Sequence, residues 1–130
     1  MKPDISKAAL AIEVAMDMLD VANEKFDNCD YVLAFNEARN SMRMSASAIL
    51  FSDGFIYSDF STVLSYLHGS YPHLFPLNEW KKIESIDFTQ KQGILLNIAQ
   101  RILNIERHQS KQAIMIAWGF LDSVHKVVGL

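Results

Sequence analysis

One cysteine, three prolines and five glycines in 130 residues leave little that could staple, kink or loosen this chain. Cys29 alone cannot close an internal disulfide and excludes a cysteine-rich zinc site; no cofactor is expected, and the chain reads as cytoplasmic. A basic excess is also missing. Twelve Lys plus Arg stand against 15 Asp plus Glu, a formal charge of -3, so no general cationic field gathers nucleic acid around the whole molecule. Any such contact must be local. The longest apolar run, 113–121, is shorter than the roughly 20 residues that cross a bilayer, and no membrane contact is expected. The opening MKPDISKAALAIEVAMDMLD mixes Asp and Glu into its apolar pattern, unlike a signal peptide, so folded structure is expected from the start. Strand alternation, glycine-rich loops and fixed-period repeats do not occur.

What the chain does have is apolar bulk at helical spacing. Half its residues are hydrophobic, high for a domain of this size, so part of the excess is expected to be covered by another subunit. A single domain over 1–130 can bury one core. Residues Ala8, Ile12, Ala15, Leu19, Ala22 and Phe26 share one face of a first helix over about 5–25, with Asp4 or Ser6 as its cap. The cluster Asp27, Asn28, Cys29, Asp30 breaks the period, and Asp30 is placed to cap the next helix. There Tyr31, Phe35, Ala38, Met42 and Ile49 recur at steps of three and four. Ala34, Ser41, Ser45, Ala46, Ser47 and Ala48 keep the other faces thin, as close packing against a neighbour requires.

After a stop at Asp53-Gly54, Ser58 or Asp59 caps a shorter third helix with Phe60, Val63, Leu64 and Leu67 inward, ending at His68-Gly69. Pro72 and Pro76 keep the following segment irregular. Asn78 caps NEWKKIES, and Asp87 or Thr89 opens a long helix with Leu95, Ile98, Ile102 and Ile105 as its stripe, weakened early by Gly93. The polar run 106–112 is expected to separate it from a last helix carrying Ala113, Ala117, Phe120, Leu121, Val124 and Val128, with Ser110 as cap and Gly129 as stop. The fold class is all-α: an antiparallel up-and-down bundle of four to five helices.

This order of elements resembles the HEPN domain, a family of small helical bundles named for nucleotide binding in prokaryotes and higher eukaryotes. The likeness rests on AIEVAMDMLDVANEKFDNCDYVLAFNEARNSMRMSASAILFSDG, similar to the family's first two helices with their small-residue seam. SDFSTVLSYL looks like its third, and RILNIERHQSKQAIMIAWGFLDSVHKVV stands where its polar motif and final helix lie. The resemblance implies a homodimer, RNA or nucleotide contact, and pairing with a nucleotidyltransferase-type partner as toxin and antitoxin. Many toxin members are metal-independent ribonucleases whose motif is an Arg and a His separated by four to six residues.

Arg101 and His108 have six residues between them, and pair a cation for phosphate with a group that moves protons near neutral pH. Seven positions is two helical turns, about 10 Å along the axis, so the two meet at one phosphate only if the helix breaks or a second subunit contributes. Counting from Arg107 places the expected His at Lys111 or Gln112, neither a near-neutral acid and base. Ile102 follows Arg101 and His108 follows Arg107, where the family places a polar residue, often Asn. Both departures weigh against catalysis; Arg101, Arg107 and His108 are the catalytic candidates, against the plainer reading that they are solvated helix residues.

The binding candidates are Asn36, Arg39, Asn40 and Arg43, joined by Arg101 and flanked by Ser47: a polar stripe on the second helix whose arginines, one turn apart, could grip a phosphate in a groove shared with Arg107. Such a stripe also serves as an ordinary solvated face. More than half of the aromatics lie between Phe51 and Trp80, and core closure with a subunit interface explains them better than base stacking, since only Lys81 and Lys82 stand close. His68 and His73 do not read as a metal pair, Asp122 and His125 read as a surface pair, and the serines of the second helix have no histidine at workable spacing. Three functions follow: a module that binds RNA or nucleotide without turnover, a metal-independent endoribonuclease, and a structural dimer.

Overall fold

The computed structural model describes residues 3–55, 59–88 and 96–129, with side chains from residue 102 in the last segment. Its helices are α1 (Ile5–Asp27), α2 (Tyr31–Ser52), α3 (Phe60–Ser70), α4 (Leu77–Glu84) and α5 (Leu96–Val128), and no strand occurs among the described residues. The bundle is all-α, as the periodicity requires.

Helix α1 begins where the Asp4 carboxylate accepts the Lys7 N–H at 3.0 Å, while the Asp4 N–H donates to Phe51 O and ties the start of α1 to the end of α2. Its buried face is Ala8, Ala11, Ile12, Ala15, Leu19 and Ala22. Both ends of the α1–α2 hairpin use one device. After α1, Asp30 N–H donates to Lys25 O and Cys29 N–H to Phe26 O; after α2, Phe55 N–H donates to Leu50 O and Gly54 N–H to Phe51 O. The left-handed residue is Gly54 at φ 86° in one and Cys29 at φ 64° in the other. Asp30 does not cap α2 through its side chain; its N–H closes the stop of α1 while its carbonyl accepts the Ala34 N–H that begins α2.

Small residues let the hairpin close. Ala34, Ala38, Ser41, Ser45, Ala46 and Ala48 are all fully buried, and the Ser41 hydroxyl donates to the Ala15 carbonyl across the seam at 2.8 Å. Ser45 is equally buried, and its hydroxyl has no partner among the described residues.

Asp59 caps α3 by accepting the Thr62 N–H; Tyr57 and the alternative cap Ser58 lie outside the described residues. Helix α3 continues through His68 and Gly69 to Ser70. Helix α4 starts at Leu77, one residue before the expected cap Asn78, because Pro76 holds the capping position and its carbonyl accepts the Trp80 N–H. The aromatic crowd closes the core: fully buried Trp80 lies 4.8 Å from Phe60 and 5.0 Å from Phe120, and Phe75 lies 4.8 Å from Phe120.

Two expectations change at α5. Residues 106–112 do not interrupt it: one helix of 33 residues, about 50 Å long, runs straight through. The polar run is a stretch with fewer inward positions, and Ser110, expected as a cap, is buried mid-helix and bonds back to the Arg107 carbonyl. Ile105, expected inward, is 51% exposed, while Ile102 is half-buried. Thr89, Gly93 and Leu95, and the side chains of Ile98 and Arg101, lie outside the described residues. The second change is direction. Arg107 meets Phe26 and Tyr31 at the α1–α2 turn, whereas Phe120 meets Trp80, whose indole shares Glu84 with Arg43. Helix α5 thus runs parallel to α2 and antiparallel to α1, not in simple alternation.

Candidate functional site

The α2 stripe is already occupied. From the last residue of α4 the chain descends α2, and Glu84, Ile86 and Phe88 meet successive turns of that helix. Glu84 takes both Arg43 Nε (2.8 Å) and Nη2 (2.6 Å), the Ile86 carbonyl accepts Arg39 Nη1 at 3.1 Å, and Phe88 sets its ring edge-on to Phe35 at 5.0 Å. Asn36 and Asn40 complete the set as acceptors for Arg39 and Arg43 one turn on. Ser47 bonds back to the Arg43 carbonyl.

Charge follows the same pattern. The Glu84 carboxylate, with a side chain only 9% exposed, receives the bidentate Arg43 and the Trp80 indole N–H. Burial, reinforced by the neighbouring Arg43 charge, holds the Arg39 guanidinium below its ordinary value, against the opposing pull of Glu84 and Asp87. Arg39 also lies over the Phe35 ring at 5.3 Å. Asn36, Arg39, Asn40 and Arg43 are brought together, but as a clasp for the end of α4 and the segment after it.

Arg107 is elsewhere. Its guanidinium stands 5.9 Å from the Phe26 ring centroid, and Phe26 in turn is 5.4 Å from Tyr31. The Cys29 thiol, then slight burial, raises the Tyr31 phenol above its ordinary value, while Arg107 pulls it the other way. Lys111, one turn beyond Arg107, borders a cavity of about 220 Å³ with Asn23, Phe26, Ile114 and Met115. Arg107, His108 and Lys111 are all exposed. This end of the molecule combines aromatic rings with exposed cations, the elements that hold an anionic, stackable ligand.

The two groups flank opposite sides of α5. Ile86, beside the clasp, lines a cleft of about 410 Å³ with Gln109, Gln112 and Ile116, whereas Arg107 and Lys111 turn toward α1. Among the described residues Arg39 and Arg43 therefore share no groove with Arg107. On unbroken α5 the positions of Arg101 and His108 share a face two turns apart, and Arg107 and His108 diverge by about 100°. One protomer does not bring an Arg and a His from this helix to a single phosphate by that spacing. Sequence reasoning missed Phe26, Tyr31 and Lys111 as a group: the first two read as core positions, and only the four-residue step from Arg107 to Lys111 was a visible signal. Among the described residues no three His, Cys, Asp or Glu side chains converge as metal ligands, and no helix is long and apolar enough to cross a membrane. Comparison of the chain with models of known families, with curated proteins and with solved structures finds no match.

Proposed function

We propose that this chain is a HEPN-like helical module that binds an anionic, base-bearing ligand, RNA or a nucleotide, without turning it over. The observation that carries the reading is the meeting of Arg107 with Phe26 and Tyr31 beside exposed Lys111, a local cationic and aromatic surface on an otherwise acidic protein. The tight small-residue seam of α1 and α2 supports the family likeness. The continuity of α5 favours binding over cleavage, because the Arg101 and His108 positions lie about 10 Å apart along one rod.

Anisotropy of labelled single-stranded RNA, titrated with the full chain over a salt series, tests this. Binding should weaken steadily as salt rises, and Arg107→Ala with Lys111→Ala should cost at least about tenfold and reduce the salt slope. The RNA should remain intact in chelator. Absence of binding at low salt overturns the proposal, and cleavage in chelator that is lost in His108→Ala replaces it with the ribonuclease reading.

A further inference from the structure

On the flank of α1 turned away from α5, Leu10, Val14, Met18 and Val21 recur at steps of three and four, and none is buried. Leu10 is 58% exposed and Val21 37%. Beside Met18 the row opens into a cavity of about 420 Å³ whose other wall is α2, through Asn40, Arg43, Met44, Ser47 and Phe51. Met18 and Met44 give it the adaptable lining common at surfaces that accept a partner side chain. From Leu10 to Val21 the row is about 16 Å long, three helical turns.

A second row edges the first. Glu13, Asp17, Asp20 and Glu24, all exposed, follow one another at helical steps of four, three and four, and among the described residues no cation engages any of them. Like charges one turn apart cost a helix about 0.2–0.5 kcal/mol per pair, so α1 carries this edge at a small cost. Basic groups laid along it would remove that repulsion.

We infer that this face is a docking groove for an amphipathic helix of another protein, one with aliphatic residues at i, i+4 and i+7 and Lys or Arg along one edge. Charge rules against a second copy as occupant. An antiparallel two-fold contact of α1 with its own mate sets acid against acid; of the chain's other exposed cations, Lys81 and Lys82 lie on α4, whose eight residues are too short for a three-turn row, and the basic row of Arg107 and Lys111 lies on α5. Contact of that row with α1 of another copy would bury the surface assigned above to the anionic ligand. The partner helix would seat its aliphatic row on Leu10, Val14, Met18 and Val21, insert one side chain between Met18 and Met44, and place its cations over Glu13 to Glu24. This groove is independent of the α5 surface and of the reading attached to it.

The test uses the full chain and two fluorescein-labelled synthetic helices of identical leucine pattern, one with lysine along the flank and one with glutamate in its place. The lysine helix should bind at least about tenfold more tightly, the double variant Leu10→Ser with Val21→Ser should lose about tenfold, and Asp17→Lys with Glu24→Lys should reverse the preference. These positions are exposed, so the fold survives. RNA affinity should not change in Leu10→Ser with Val21→Ser, which separates failure here from failure of the α5 reading. The inference falls if the lysine helix does not bind, if both helices bind alike, if the variants leave binding unchanged, or if sedimentation shows the chain self-associating through Leu10 and Val21.

Discussion

Asp53 gathers two phenols: the Tyr66 hydroxyl donates to its Oδ2 at 2.5 Å and the Tyr71 hydroxyl at 2.8 Å. Burial first, then the bond to Asp53 and its charge, pushes both phenols above the ordinary value, Tyr71 further than Tyr66. A group whose folded pKa is raised favours the protonated native state. Its contribution is complete below the unfolded phenol value of about 10 and fades as pH climbs from there through the folded pKa. Denaturant midpoints should therefore fall above about pH 10 in the wild type, and Tyr66→Phe with Tyr71→Phe should flatten that decline while costing about 1 kcal/mol per bond at neutral pH. Cys29 offers the opposite kind of change. It occupies a left-handed position that its counterpart Gly54 fills without strain, so Cys29→Gly should stabilise the chain by about 0.5–1 kcal/mol in urea unfolding.

At the scale of elements, the clasp on α2 decides how α4 is held. Removing one partner of a nearly buried carboxylate is worse than removing both, because the survivor keeps its desolvation penalty. Arg43→Met should thus cost about 2 kcal/mol, discounted for the 41% exposure of the arginine side chain, while Arg43→Met combined with Glu84→Leu should recover much of the loss in thermal unfolding. The stripe itself was legible: Asn36, Arg39, Asn40 and Arg43 stand at helical steps. Its use was not, since the acceptors, Glu84 and the Ile86 carbonyl, lie more than 40 positions along the chain, and a backbone carbonyl leaves no trace in sequence. Helices α1 and α3 could be read because periodicity and caps agreed, with Asp4 and Asp59 both capping, whereas α2 was read from periodicity alone, since Asp30 makes no side-chain cap. The continuity of α5 could not. A polar run with a serine inside it has the composition of a break, and only the bonding of Ser110 to Arg107 within an unbroken rod distinguishes the two.

In the whole molecule, stability is shared unevenly. Helices α1, α2 and α5 pack along their lengths, whereas α3 has no extended backbone contact with another helix among the described residues. It is fastened by buried Val63 and Leu67, by Phe60 edge-on to Trp80, and by Tyr66 reaching Asp53. An element attached by so few side chains opens at a lower free energy than the core that holds it. Native-state hydrogen exchange should show the amides of α3 opening well before the buried stretches of α2 and α5. Tyr66→Phe with Tyr71→Phe should speed exchange in α3 more than in the slowest amides of α2. If α3 instead exchanges together with α2 in both proteins, the side-chain anchors have bound it into one cooperative unit, and the Asp53 cluster contributes to global stability and not to a local hinge.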